Sequence, residues 1–337
     1  MKAEDGMHAA IASEIGNLFQ HVAAFNAFAT GLDAEIRSSQ ETSDDHRLML
    51  GAGIEQLFGQ VLQFEDSVGS IAPDVVRNTQ QTFRRLTSDV FCRSRMIDRA
   101  LRKPRGYAGD HALMDIYYTR DVAPEGFGRV LDTYMHSIPA SRAVVGRKEY
   151  VKNWLASRVS KRSCAKVVDL ACGPCRIERE MFDAGRVADA HLIVVDNDPE
   201  ALAYARRVLG PHAEHVEYAE ANAIKMARTR TVPPVIAGAS FIVSLGLFDY
   251  IPRMLAVNLL RALRASTAPG GELLIGNFAQ GNPTRPFMEW ASDWVLIYRS
   301  HEEFMQLFLD AGFPAEDLTC EREAEDGLVF MVTARVT

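Results

Sequence analysis

Asp169-Leu-Ala171-Cys172-Gly173-Pro-Cys175, followed further along by Asp196, are the residues of this chain best spaced to do chemistry. Small residues after an acid let backbone N–H groups approach a ligand, and a carboxylate closing the next strand takes ribose hydroxyls. The flanking sequence supplies the elements that must hold them. Lys166-Val-Val-Asp-Leu170 is a short, β-branched run that predicts a buried strand, and the spacing predicts an amphipathic helix from Ile177 to Ala184. A second apolar run, Leu192-Ile-Val-Val, ends at Asp196. Strand, tight turn, helix, strand and terminal acid make the plan of a nucleotide site.

A dinucleotide fingerprint needs Gly-x-Gly-x-x-Gly, and here that register reads Ala171-Cys-Gly173-Pro-Cys-Arg176, without its first and third glycines. Asp169, two residues before the turn, suits a ligand with a cationic amino-acid tail. S-adenosylmethionine has an ammonium group, a ribose diol and an adenine. The segment resembles the first motif of the class I S-adenosylmethionine-dependent methyltransferases, (Asp/Glu)-x-Gly-x-Gly-x-Gly. It keeps the acid and the central glycine and departs at Ala171 and Cys175, both small. The resemblance implies S-adenosyl-L-methionine as cofactor, bound by Asp169, Ala171, Cys172, Gly173, Asp196, Asn197, Asn222, Ala223, Ser244 and Leu245. In that plan the residue after the third strand meets the adenine amine, which Asn222 can accept through its amide oxygen.

Cys172-Gly-Pro-Cys175 also has the spacing of a redox dithiol. The acid-bearing strand before it and the acid-terminated strand after it fit a thioredoxin context poorly. No second Cys/His pair stands at zinc-ligand spacing, so no metal is expected.

The chain has 337 residues, 47% hydrophobic and 24% charged, which allows two globular domains. A net charge of -7 argues against a nucleic-acid partner, and five cysteines without framework spacing suggest a reducing, cytoplasmic compartment. No secretory signal is seen at the start, and no apolar run is long enough to span a bilayer.

Residues 1–139 are expected to form a helical domain with a lid loop near 102–118, and residues 140–337 the cofactor-binding domain. Ile11, Ile15, Leu18, Val22 and Phe25 keep helical spacing, as do Ile54, Leu57, Phe58, Val61 and Phe64. These helices are read as a packing or dimerisation domain, with a homodimer as the expected assembly, or else as a cover for substrate. From Ala140 to Ser163 a linker helix is expected, its charges forming a solvated face, with Arg142 and Arg147 as minor candidates for touching substrate.

Downstream, strands are expected near His215 to Tyr218, from Ala239 to Leu245 and from Glu272 to Phe278. A helix opens at Pro252, Pro269-Gly-Gly271 is read as a turn, and a closing hairpin turns at Asp326-Gly327. The fold class is therefore α/β: a Rossmann-like class I methyltransferase sheet of seven strands, the last hairpin antiparallel, with an N-terminal all-helical domain. An aromatic stretch with Phe287, Trp290, Trp294 and Tyr298 follows the fifth strand, where ligand crevices lie in such sheets. Substrate contact is expected of it.

Arg105-Gly-Tyr107-Ala-Gly-Asp110 makes a shaped loop that, on its residues alone, is as well read as a solvated linker. With the Ile116-Tyr-Tyr118 helix and Ser244-Leu-Gly-Leu-Phe-Asp-Tyr250, it is similar to the bacterial methyltransferases that make the 3-hydroxypalmitic acid methyl ester quorum signal. That resemblance implies carboxyl O-methylation of a 3-hydroxy fatty acid or a related fatty-acyl acceptor. Tyr107 and Asp110 would close over the sulfonium end, Arg105 or Arg299 would orient the carboxylate, and Asn277 and Tyr250 would line the acceptor site. Phe248, Asp249, Trp290 and Tyr298 would complete it.

A carboxylate is ionised at neutral pH and needs no base, whereas an alcohol, phenol or carbon acceptor does. No histidine stands at an obvious position after strands four or five; His111 and His136 fall in the N-terminal half and His301 at a helix start. This leans toward a carboxylate, although Asp110, Asp249 or Tyr107 could assist. Methylation of a small natural-product intermediate on oxygen, nitrogen or carbon is the nearer alternative, and a non-catalytic module binding the cofactor or a partner the farther one.

Overall fold

Val167 and Val168, Ile193 to Val195, and Phe241 to Val243 are buried, β-branched or aromatic residues without polar alternation. Such runs fit only strands covered on both faces. The computed structural model of the protein describes residues 2–39, 41–187 and 189–337. Its chain runs α1 (Lys2–Ser39), α2 (Asp44–Val68), α3 (Pro73–Phe91), α4 (Arg95–Arg102), α5 (His111–Thr119), α6 (Gly126–Ser137) and α7 (Pro139–Val159) before the first strand. Then β1 (Lys166–Leu170), α8 (Arg176–Asp183), β2 (His191–Asp196), α9 (Pro199–Leu209), β3 (Val216–Glu220), α10 (Ala223–Thr229) and β4 (Ala239–Ser244) alternate. After them come α11 (Arg253–Ser266), β5 (Thr267–Phe278), α12 (Arg285–Ser292), α13 (His301–Asp310), β6 (Leu318–Arg322) and β7 (Val329–Arg335).

The strands form one seven-stranded sheet in the order β3-β2-β1-β4-β5-β7-β6. All neighbours are parallel except β7, which runs antiparallel to both β5 and β6. This is the Rossmann-like class I methyltransferase sheet expected, with its last hairpin reversed. The expected turn at Pro269-Gly-Gly271 is instead part of β5, where the pairing with β4 shifts register between Ala239 and Phe241.

Two compact units divide the chain without being contiguous. One holds residues 1–109, 120–138 and 283–295; the other holds 110–119, 139–282 and 296–337. The expected cut near 139 coincides with one of these crossings. Residues 110–119 of the expected lid belong with the sheet, and residues 283–295 belong with the helices.

In the helical unit α2 begins with a capping box, His46 N donating to Ser43 Oγ at 3.3 Å and Ser43 N to His46 Nδ1 at 3.1 Å. The helical pattern read through to Arg102 is interrupted at Cys92, and Ser94 caps a new helix by accepting from Ile97 N. Its core is aromatic: Phe83 packs at ring-centroid distances of 5.8 Å from Phe58 and 5.4 Å from Trp290, and Phe287 stands 4.9 Å from Phe58. In the sheet unit, Leu170, Val195, Ile242 and Ile275 join Leu259, Leu263, Phe304 and Phe308 in one core. Among the described residues no helix is long and apolar enough to cross a membrane.

Candidate active site

At the carboxyl end of β1 the backbone turns sharply, with Ala171 at φ 61°, Gly173 at φ 56° and Cys175 at φ 53°. These left-handed positions cost a side chain strain, which is why the segment is small and why Gly173 is the one glycine retained. Ala171 N and Cys172 N both donate to Val195 O, at 2.8 and 3.2 Å, tying the loop to β2. Asp196, at the end of β2, accepts from Gly173 N at 3.2 Å through Oδ2 and from Asp198 N at 3.0 Å through Oδ1. The Asn197 backbone also donates to this carboxylate, and its two oxygens between them still keep lone-pair capacity for a ligand. Burial pushes the Asp196 carboxyl above its ordinary value, opposed by the backbone N–H groups. Asn197, beside it, is exposed.

Asp169 does not stand alone. Glu178, in the first turn of α8, is 4% exposed, hydrogen-bonds to Asp169, and leaves Oε2 without a partner. Two buried carboxyls in contact cannot both ionise cheaply. Burial, then the Glu178 charge, raises Asp169 well above the usual range, and burial raises Glu178 as well, so the pair holds on to a shared proton. Sequence reading missed Glu178, although Ile177 and Met181 around it form the buried face of α8.

Cys172 and Cys175 are both buried. Cys172 hydrogen-bonds to Cys175, which lowers its thiol, but burial together with the charges of Asp169, Asp196 and Glu178 outweighs this and takes it up to about 12; burial also lifts Cys175 well above its ordinary value. A redox dithiol needs a lowered thiol, so this pair lacks the chemistry its spacing suggests.

Asp110 is fully buried, and its carboxylate accepts from Leu113 N at 2.9 Å, opening α5. α5 is fastened to the helices that follow β1 and β2. Arg176 makes a two-pronged pair with Asp115, both bonds at 2.8 Å, and Tyr204 donates to the same carboxylate at 2.8 Å. A Cβ on Gly173 would lie 4.0 Å from the His111 backbone, so the start of α5 borders the loop after β1.

After β3, and on the β4 and β5 side, several candidates hold the fold. Ser244 donates to Leu170 O at 2.9 Å, joining β4 to β1, with buried Leu245 next in the chain. Asn222 uses its amide oxygen to cap α10, accepting from Lys225 N at 2.9 Å, with Ala223 as the first helical residue. Phe248 lies inside the apolar core. Asn277 is wholly buried, its amide nitrogen donating to Phe278 O at 2.7 Å and Ile297 O at 3.0 Å. Arg299 gives its guanidinium to Phe248 O and Ile251 O, each at 2.7 Å, and to the Asn277 side chain. Burial lowers its pKa. Arg299, expected to orient the carboxylate, and Asn277, expected to line the acceptor site, thus spend these groups on the fold. Tyr250 is 36% exposed, and the Tyr298 hydroxyl accepts from Asn282 at 3.3 Å.

Asp249 accepts from Phe278 N at 2.7 Å, and burial takes its pKa up to about 6. Facing it is Arg147, a minor candidate for touching substrate that was expected on a solvated face and is instead buried. It is buried because Ala143, Val144 and Val151, one turn away on either side, are all buried on that side of α7.

Trp290 requires another correction. It is 0% exposed, packs edge-on to Phe64 and Phe83, and donates to Glu65 at 2.7 Å, all within the helical unit. Its position after β5 directs it into an aromatic core and not to a ligand face. Arg105 and Tyr107, both partly exposed, also belong to the helical unit.

No protein-family model matches the chain, and no curated protein matches it. Solved structures do. A protein described as a possible exported protein from Bordetella parapertussis is 19% identical with a TM-score of 0.55, the match covering 67% of this chain and 79% of that one. Magnesium protoporphyrin IX methyltransferase from Synechocystis, solved with bound S-adenosylhomocysteine, is 11% identical at TM-score 0.45, covering 59% of this chain and 88% of its own. N-methyltransferase NodS from Bradyrhizobium japonicum, also with that compound, is 13% identical at 0.41, covering 60% and 90%. The first likeness speaks for the fold alone, and the two weaker ones add nothing to it.

Proposed function

We propose that the protein is an S-adenosyl-L-methionine-dependent methyltransferase that esterifies the carboxylate of a 3-hydroxy fatty acid or a related acyl acid. The observation that carries the first part is the Asp196 carboxylate, held beneath a turn of positive-φ residues by Gly173 N and Asp198 N. In this reading its free lone pairs take the ribose hydroxyls, and the Asp169–Glu178 pair receives the ammonium. Cys172, Gly173, Asn197, Asn222 and Ala223 line the adenosyl path, and the cofactor supplies an electrophilic methyl group when bound.

The protein's own residues do the rest. α5, pinned by Asp115 to Arg176 and Tyr204, narrows the space above Gly173 and keeps water out. The acceptor oxygen must lie about 3 Å from the methyl carbon and opposite the sulfur, so placement is the main work. A carboxylate needs no proton removed, which suits a site where Asp249 is itself tied to Phe278 N. Asp110 would close over the sulfonium end, and Tyr250 would line the acceptor site.

The test is incubation of the protein with methyl-labelled cofactor and free 3-hydroxy acids. Label that enters an organic-soluble, base-labile product is expected. Base-stable product would move the acceptor to another atom, and no product with any acid would remove the ester.

A further inference from the structure

We propose that Arg147 is the receptor for the acceptor's carboxylate, its guanidinium left loosely paired inside the fold so that the substrate's oxygens complete its hydrogen bonds. This rests on the acyl-acid reading above.

Arg147 and Arg299 are a natural control for each other. They belong to the same unit and are 4% and 5% exposed. Arg299 meets two carbonyls at 2.7 Å as well as Asn277. Arg147 meets Leu245 O at 3.4 Å and Met114 Sδ at 3.7 Å, its nearest carboxylate oxygen, on Asp249, is 3.8 Å away, and its Nε has no hydrogen-bond partner. The guanidinium also hydrogen-bonds to the Tyr118 phenol oxygen. Charge-assisted pairs normally close to about 2.8 Å, and a buried guanidinium short of acceptors is costly. A fold that gives one arginine three close acceptors, and the other a phenol, two long contacts and an idle Nε, has left donors of the second for something else.

The location fits. Arg147 Nη2 would stand 3.5 Å from a Cβ on Gly246, so it borders the loop leaving β4, outside the carboxyl ends of the strands where ligands enter such sheets. A planar fork of donors suits a carboxylate bound by both oxygens. Asp249 keeps the guanidinium from being an isolated charge while no acceptor is present, without closing on it.

The experiment is calorimetric titration of 3-hydroxydodecanoate and of uncharged 1,3-dodecanediol into the full chain saturated with S-adenosylhomocysteine. The variants are Arg147→Gln, Arg147→Lys, and Arg147→Gln combined with Asp249→Asn, which avoids an uncompensated buried carboxylate if the single change impairs folding. Acid binding is expected to weaken about 30-fold in both glutamine backgrounds, to recover in part with lysine, and diol binding to change less than about two-fold. Undiminished acid binding, or equal loss of acid and diol, would overturn the assignment. So would a parent that binds S-adenosylhomocysteine but not the acid. A parent that fails to bind S-adenosylhomocysteine would instead sink the methyl-transfer reading, and the same titrations without it would still decide Arg147.

Discussion

The two sides of the sheet's carboxyl edge bury opposite charge. At β1 and β2 stand Asp169, Glu178 and Asp196; at β4 and β5 two buried arginines, Arg147 and Arg299, face Asp249. On each side one group is held by the fold and another is short of partners: Asp196 against Glu178 Oε2, and Arg299 against Arg147 Nε. Burial without a partner is tolerated where a ligand supplies the missing half. An acidic side and a basic side within one site suit a cofactor with an ammonium and an acceptor with a carboxylate.

The largest expected effect separates the two arginines. Arg299→Ala would strip donors from Phe248 O, Ile251 O and Asn277, and should cost about 3–5 kcal/mol in urea unfolding. A loss below about 1 kcal/mol would erase the distinction between a structural and a receptive arginine.

Next is the pH dependence of the basic side. Asp249 rises from 3.8 to about 6 in the folded state, so its contribution to stability is fully present below 3.8 and is lost as pH rises through about 6. The unfolding free energy of the parent, minus that of Asp249→Asn, should fall by at most about 3 kcal/mol between those limits and stay flat above them. A rise over that window would contradict the burial argument.

A smaller effect sharpens the acidic side. Asp169→Asn should weaken S-adenosylhomocysteine about 10-fold in titration and leave 3-hydroxydodecanoate unaffected. Equal effects on both ligands would merge the two sides into one. Smallest is the thiol response. With a disulfide reagent at pH 8, exposed Cys164 should react first, and Cys172 and Cys175 only on unfolding. Fast reaction of either buried thiol would restore redox chemistry.

The sheet was legible because its central strands are continuous apolar runs and Asp196 closes one of them; β1, β2 and β4 start and end within a residue or so of expectation. The helix break at Cys92 was not, because the serine that recaps the chain at Ser94 carries no pattern of its own until the turn is seen. Trp290 misled because position after β5 says where the backbone goes, not which face a side chain takes. Arg147 was a minor candidate for touching substrate, and Glu178 could have been found in the same way. Each sits on the apolar stripe of its helix, among Ala143, Val144 and Val151 or beside Ile177 and Met181, and a charge there needs a reason.

The most direct measurement is calorimetry of S-adenosylhomocysteine binding to the full chain and to Asp196→Asn. One saturable site in the parent, weakened roughly 100-fold in the variant, is what a carboxylate gripping a ribose diol predicts. No heat from the parent, or a variant that binds as tightly as the parent, would contradict it.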